Sequence, residues 1–518
     1  MGGVRDVTVG QLLEEWSRRC PDKLALVAGE RSLNFGQLQA RVEFVAGALH
    51  RLGIERGDRV AVWLNNRQEW IELQFALARL GAILVTVNTA LRSQELDYLL
   101  RQCRARALIY MQGTHGLNFV EEVAGLNYRP DFKIFVDQPV PPEAIDYHSL
   151  PSGPVAWPDI GLDECLNMQY TSGTTGFPKG VRLTSRNIVN NGYWLGRGLS
   201  YTPEDRLCLC VPLFHCFGCV IGVLGAYTHG ASLHLVPSFE PLAVMETVER
   251  DRCTALYGVP TMFLAQLEHP EFERFDFSSL RTGVMAGSLC PEALMGRVIE
   301  RMNLKEMTIA YGLTEASPAI TQTLPDDPLE LRTQTVGRVL PELEVEIRDP
   351  ASGRALGANE LGELCVRGYN VMEGYHDDPE ATARAVDEQG WLATGDQAAI
   401  CPRGYVRITG RIKDIIIRGG ENVSPREVED HLRSHPSVLD AAVYALPHEK
   451  YGEEVAAAIR LRPGRQAGEQ ELKEHCKEHL SYFKIPTSWR FVEEFPLTAS
   501  GKIQKFRLRA SHHAGAQG

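Results

Sequence analysis

Residues 170–181 read Tyr170-Thr171-Ser172-Gly173-Thr174-Thr175-Gly176-Phe177-Pro178-Lys179-Gly180-Val181. Five hydroxyl groups, three glycines and one lysine share these twelve positions. Glycine reaches backbone angles closed to other residues, so free N–H groups can converge with the Ser and Thr hydroxyls while Lys179 adds a cation. Such a loop is suited to gripping phosphate. A Walker A loop also cradles phosphate, but there the lysine precedes Ser or Thr at the opening of a helix. Here Gly180 follows Lys179, and Val181-Arg182-Leu183-Thr184 alternates as a strand. An apolar strand at 166–170 leads into the loop, so the spacing predicts strand, loop, strand.

Outward from this loop the chain alternates helix and strand. Thr8 followed by Gln11 predicts a capping box, with Val9, Leu12, Leu13 and Trp16 on one helical face. A second apolar stripe, Leu38, Val42, Val45, Leu49 and Leu52, stops at Gly53, and a buried strand follows at 59–64. A helix at 69–80 ends at Gly81 before a strand at 83–87, and further strands are predicted at 107–110, 133–137, 232–236 and 281–286. This is an α/β pattern of parallel sheets covered by helices on both faces. Between about 336 and 396 it gives way to short alternating strands, 344–348 and 363–367, of a β-rich subdomain. A boundary falls at Gly410-Arg411-Ile412-Lys413-Asp414. After it, strands at 441–445 and 455–461 and a helix at 470–480 make a compact α+β domain, and 512–518 reads as a frayed tail.

A chain of 518 residues with 44% apolar content can build several large cores. Its net charge of −12 argues against nucleic acid or an anionic membrane as a main partner, since both call for a basic face. The longest apolar run, 217–227, falls well short of the roughly 20 residues of a membrane span, and no leader-like start is seen, so the expected location is cytoplasmic. Twelve scattered cysteines fit a reducing compartment. The one C-x-x-C, Cys216-Phe217-Gly218-Cys219, lies in an apolar segment and reads as packing rather than a metal or redox site; no structural metal is expected.

The loop at 170–181 resembles the phosphate-loop signature of the adenylate-forming superfamily, which comprises acyl-CoA synthetases, peptide-synthetase adenylation domains and beetle luciferases. Further matches follow in that family's order, from about Thr8 to about Arg509. The resemblance implies an α/β fold: a large N-terminal domain, 1–410, of parallel α/β subdomains plus a β-rich subdomain, and a small mobile α+β C-terminal domain, 411–518, that swivels over it.

The same resemblance implies site residues. Thr171, Ser172, Gly173, Thr174, Thr175 and Lys179 would hold phosphate. Ala310-Tyr311-Gly312-Leu313-Thr314-Glu315 resembles a second signature, in which Tyr311 stacks on adenine, Thr314 contacts the α-phosphate and Glu315 holds Mg²⁺. Ile309 stands where relatives carry Gln or Asn two residues before the Tyr. Gly287 and Ser288, in Met285-Ala286-Gly287-Ser288-Leu289, would line the adenine and acyl pockets. Asp396, in Thr394-Gly395-Asp396, would take the ribose hydroxyls together with Arg411. His215, in Pro212-Leu213-Phe214-His215, matches the residue that gates the acyl tunnel. Lys502, in Ser500-Gly501-Lys502, matches the adenylation lysine. Lys413 matches the hinge, and Gly419, Gly420 and Glu421 the loop that replaces Lys502 beside the pantetheine tunnel.

Activating a carboxylate means pushing one anion onto the α-phosphate of another, a positioning and electrostatic task that lysines and a metal ion can meet. The implied function is an ATP-dependent acid:CoA ligase working through an acyl-adenylate, with ATP, Mg²⁺ and CoA as cofactors and an apolar acid as substrate. The features most resemble those of medium-chain fatty acyl-CoA synthetases. Two alternatives stay open: transfer of the acyl group to a carrier protein or partner enzyme, and a catalytically silent nucleotide-binding homologue. The assembly, a homodimer included, is left open.

Overall fold

The helix Val9–Arg19 begins as the capping box requires, with the Thr8 hydroxyl accepting from the Gln11 N–H and the Gln11 side chain accepting from the Thr8 N–H. Helices Phe35–Leu52 and Gln68–Leu80 stop at Gly53 and Gly81, both in the left-handed conformation that glycine adopts without strain. The computed structural model describes residues 3–171, 178–288, 290–418, 421–497 and 503–515.

The chain folds into two compact units, Met1–Val345 with Val366–Leu392, and Glu346–Cys365 with Ala393–Gly518. In the first unit an eight-stranded sheet has a parallel core of Cys165–Thr171, Ile83–Thr86, Arg59–Trp63, Ala107–Tyr110, Phe132–Phe135 and Ile145–Asp146. One edge turns antiparallel where Lys179–Thr184, and then the two-residue strand Gly374–Tyr375, are added. A nine-stranded sheet runs parallel through Leu24–Ala28, Ser232–Leu235, Arg206–Leu209, Ala255–Gly258, Thr282–Met285 and Glu306–Gly312, with antiparallel strands at both edges. The helix Gln68–Leu80 touches strands of both sheets and is buried almost all round. Its buried Glu72 is satisfied by the Arg41 guanidinium, at 2.9 and 3.1 Å, and by the Tyr147 hydroxyl, at 2.7 Å.

The apolar run after Cys216 forms a π-helix, Phe217–Leu224, completely buried. Such wide turns leave backbone groups off the regular ladder; the Cys219 carbonyl accepts from Gln74 Nε2 at 3.0 Å, and the Cys219 sulfur lies 3.2 Å from Gln169 Nε2. Gly218 is obligatory here, because a Cβ would stand 2.2 Å from the Pro212 carbonyl oxygen.

The second unit centres on an antiparallel pair, Val438–His448 with Gly452–Leu461, flanked by Ile416–Arg418, Glu421–Val423 and a parallel strand, Ser488–Phe491. Helices Pro425–Arg433 and Glu469–Lys477 carry its core, Val428, Leu432, Leu472 and Cys476, against that sheet. The expectation of a frayed end from 512 needs correction. Up to Gly515 it is a helix, Lys505–Gly515, seated by buried Leu508, with the His512 ring bonded to the Tyr444 hydroxyl and to Ser488 Oγ, each at 2.7 Å; 516–518 lie outside the described residues. Two polar partners and one apolar anchor hold what the polar composition had suggested was loose. Among the described residues, no helix is long and apolar enough to cross a membrane.

Candidate active site

The phosphate-loop hairpin is built by Cys165–Thr171 and Lys179–Thr184, with Thr171 directly opposite Lys179. Ser172, Gly173, Thr174 and Thr175 lie outside the described residues. The loop's far end is held by the Tyr98 hydroxyl, which donates to the Pro178 carbonyl at 3.2 Å, and Tyr170 donates to Gln102 Oε1. Lys179 Nζ lies 3.7 Å from Asp378 Oδ2 and 4.9 Å from the centre of the Tyr375 ring.

The second signature ends the last parallel strand of the nine-stranded sheet. Tyr311 is half-buried near the end of Glu306–Gly312, and Thr314 and Glu315 sit in the single 3₁₀ turn Thr314–Ala316. Gly312 cannot be replaced without movement: a Cβ there would meet the Pro318 carbonyl oxygen at 1.8 Å. Ile309 is buried in the apolar core, and its N–H is satisfied by Thr323 Oγ1 at 2.8 Å. Gly287 takes the left-handed conformation at φ +90°, just beyond the neighbouring strand Thr282–Met285, and Ser288 beside it is exposed. Gly287 and Tyr311 therefore lie at the carboxyl ends of adjacent parallel strands, the usual ligand-binding edge of an α/β sheet.

His215 joins this group through Cys216, whose sulfur lies 3.8 Å from His215 Nδ1 and 3.7 Å from Thr314 Oγ1. The Phe217 N–H donates to His215 Nδ1 at 3.1 Å, so the neutral ring carries its proton on Nε2. The Phe217 ring stacks on Tyr257 at 5.8 Å, and Tyr257 accepts from the Tyr201 hydroxyl at 2.9 Å.

Several residues of the site were missed in the sequence. The Tyr375 hydroxyl donates to Glu315 Oε1 at 2.9 Å. Burial, followed by the Glu315 carboxylate, holds the Tyr375 phenol well above its ordinary range, so it stays a donor. The segment leading to Tyr375 runs beside the Glu315 turn: the Met372 N–H donates to the Glu315 carbonyl at 2.9 Å, and Ser317 Oγ to the Asn370 carbonyl at 2.6 Å. Both stretches are clamped by one helix, Ser185–Gly198. Asn187 Nδ2 donates to the Tyr369 and Val371 carbonyls at 2.6 and 3.0 Å, and Asn191 bonds both the N–H and the carbonyl of Ala319. Two asparagines four residues apart on a buried helical face were the available signal, since buried amides need partners.

In the second unit Asp396 and Arg411 face each other across two antiparallel strands, with Arg411 Nε 3.1 Å from Asp396 Oδ1. Asp396 is buried, and Gly395 before it takes φ +72°. Lys413 lies in the following 3₁₀ turn, Ile412–Asp414, and is exposed. Glu421 is exposed and pairs with Arg418 in a short hairpin. Gly419, Gly420 and Lys502 lie outside the described residues; Leu497 and Ile503, on either side of 498–502, form an antiparallel bridge.

The hairpin that carries the glycine- and hydroxyl-rich sequence and Lys179, the Thr-Glu turn on the nine-stranded sheet and a separate α+β unit are the features of an adenylate-forming enzyme. The chain belongs to the AMP-binding enzyme family, whose main domain matches residues 13–376 and whose C-terminal domain matches 427–502. It is 45% identical to the putative acyl-CoA synthetase YngI of Bacillus subtilis (strain 168), over 97% of this chain and 96% of that protein. It is 40% identical to the mitochondrial medium-chain acyl-CoA ligase ACSF2 of Rattus norvegicus, over 97% and 87% of the two chains. Among solved structures, the anthranilate CoA ligase AuaEII in complex with anthranoyl-AMP superposes with a TM-score of 0.90 at 28% identity, covering 99% of this chain and 98% of that one. The fold and the relatives define an AMP-forming acid:CoA ligase, with ATP and CoA as substrates.

Proposed function

We propose that this ligase activates an apolar carboxylic acid of medium length. The acid's carboxylate oxygen attacks the α-phosphorus of ATP and expels pyrophosphate; the CoA thiol then attacks the acyl carbon and expels AMP. The observation that carries the choice of acid is the wholly apolar, buried π-helix Phe217–Leu224, which starts two residues after His215 and adjoins Thr314 through Cys216. A polar acid would find no hydrogen-bond partner among those side chains. The name of the medium-chain relative agrees with this reading.

On this reading Thr171, Ser172, Gly173, Thr174, Thr175 and Lys179 bind the phosphates, Tyr311 stacks on adenine with Gly287 and Ser288 beside it, and Thr314 donates to the α-phosphate. Asp396, oriented by Arg411, accepts from the ribose hydroxyls. His215 gates the acyl entrance. Lys502 neutralises the attacking carboxylate and phosphate, and Gly419, Gly420 and Glu421 border the pantetheine path once the domain from 411 has swivelled about Lys413.

Among the described residues, no three His, Cys, Asp or Glu side chains form a metal-holding group. Glu315 nevertheless fits Mg²⁺: it is a hard oxygen donor on a fixed turn, and Mg²⁺ commonly takes one or two carboxylates, with substrate phosphates and water filling the remainder. When bound, the ion neutralises charge on the departing pyrophosphate. The twelve scattered cysteines support a reducing, cytoplasmic setting.

The test is acyl-CoA formation across short, medium, long, aromatic and polycyclic acids, with ATP–pyrophosphate exchange measured in parallel. Preference for a polar or aromatic acid would refute the apolar assignment. Exchange without thioester would move the acceptor from CoA to a carrier protein.

A further inference from the structure

Tyr375 touches the charged groups of two motifs that are remote in sequence. Its hydroxyl donates to Glu315 Oε1 at 2.9 Å, and its ring centre lies 4.9 Å from the Lys179 ammonium. The residue is fixed by its backbone. Its N–H donates to Thr382 Oγ1 at 2.9 Å, the following N–H of His376 donates to the Gly180 carbonyl at 2.7 Å, and Tyr375 stands opposite Val181 across the strand pair. Gly374 before it lies at φ +149°, with space for a Cβ closed by Thr382 at 2.9 Å.

Lys179 already has the Asp378 carboxylate at 3.7 Å; a further, direct pair with Glu315 would tie up the one carboxylate suited to a metal and close the lysine off before any substrate arrived. A tyrosine between them offers a negative ring face to the cation and an O–H to the anion. One hydrogen bond uses only part of a carboxylate's acceptor capacity, so an oriented Glu315 can still meet a hard cation.

We propose that Tyr375 is a positioning residue that separates and aims the Glu315 carboxylate and the Lys179 ammonium, setting how ATP binding depends on Mg²⁺. This rests on the reading above, in which both groups face the triphosphate. The hydroxyl acts on the metal side through Glu315; the ring acts on the phosphate side through Lys179. The two contributions are separable by substitution.

Tyr375→Phe removes the hydroxyl and keeps the ring, and Tyr375→Leu removes both. Equilibrium binding of ATP is measured against Mg²⁺ concentration and with Mg²⁺ chelated, alongside exchange and thermal unfolding. Tyr375→Phe should raise the Mg²⁺ needed for half-maximal ATP binding about tenfold or more, as expected for loss of a bond to a charged group, and leave metal-free ATP binding unchanged. Tyr375→Leu should in addition weaken metal-free ATP binding about threefold through the lost cation–π contact. In a Glu315→Gln background, Tyr375→Phe should add nothing to the Mg²⁺ requirement. An unaltered Mg²⁺ titration in Tyr375→Phe, or an additive effect in the double variant, overturns the proposal. If the wild-type protein shows no exchange with any acid, the reading of function fails, while the binding titrations still decide the role of Tyr375.

Discussion

Asn191→Leu should cost about 2–4 kcal/mol of stability, the sum of an orphaned buried N–H and a lost donor to a carbonyl. Asn191 is fully buried; its Nδ2 donates to the Ala319 carbonyl at 2.8 Å, and its Oδ1 accepts from the Ala319 N–H at 3.0 Å. Leucine fills a similar volume, so cavity formation adds little. The carbonyl keeps one donor, Asn370 Nδ2 at 3.1 Å, which leaves the Ala319 N–H as the main loss. Asn190→Leu is the matched control. That amide is also fully buried, but it bonds the backbone of Arg5 and Arg186, away from the Glu315 turn. Both variants should lower the urea midpoint by tryptophan fluorescence to a similar degree. Exchange assayed well below either transition should separate them: if about 1.4 kcal/mol of the clamp holds the Thr314–Glu315 turn, Asn191→Leu slows about tenfold and Asn190→Leu stays near wild type. Equal exchange rates in the two would refute the assignment of the clamp to the site.

Lys502→Ala should lower adenylation about 100-fold or more, the usual scale for removing a group aimed at developing charge, while sparing thioester formation from supplied acyl-adenylate. Equal losses in both half-reactions, measured separately, would make Lys502 structural. Gly312→Ala should force the end of the Tyr311 strand away from Pro318 and, by displacing Thr314, slow exchange about 100-fold; a crystal structure of an active variant would show the argument wrong. Burial pushes the His229 imidazole down to about 4 from 6.5. Below pH 6.5 the unfolded state therefore binds a proton that the folded state refuses, so stability is complete above pH 6.5 and falls as the pH drops toward 4, by about 2 kcal/mol at pH 5. Urea midpoints at pH 7.5 and 5 in wild type and His229→Gln check this: the substitution should flatten that slope.

The periodic and capped parts of this chain were readable because local physics decides them. The Thr8–Gln11 box, the left-handed stops at Gly53 and Gly81, and the strand Ala107–Tyr110 each need only their own neighbours. The strand–loop–strand reading of 166–184 likewise matches the antiparallel hairpin. What escaped depends on distant partners. Gly374–Tyr375 is too short to show any period, and its partner strand ends 190 residues earlier in the sequence. The π-helix has no polar face to reveal its pitch. The strand expected at 441–445 in fact runs from Val438 and pairs through His448↔Gly452. His512 looked like part of a polar tail, because Tyr444 and Ser488, which anchor it, are far away in the chain.

The two antiparallel edges explain why a site forms where it does. In each sheet the parallel run ends at a strand whose next neighbour reverses direction, so the chain returns at the carboxyl end of the last parallel strand: after Thr171 on one sheet, and through 313–318 on the other. Parallel order alone would send the chain away through a helix. The reversal keeps Lys179 and the Thr314–Glu315 turn at the sheet ends, and the return strand Gly374–Tyr375 adds one side chain that reaches Lys179 and Glu315 together. Those described charges all belong to the first unit, whereas the Asp396–Arg411 pair and the Lys502 loop belong to the second. On the proposed reading, two successive displacements act on one bound nucleotide. Phosphate ligands are then needed through both steps, whereas a lysine that assists a carboxylate has no task when a thiol arrives, so on that reading Lys502 serves the first step alone.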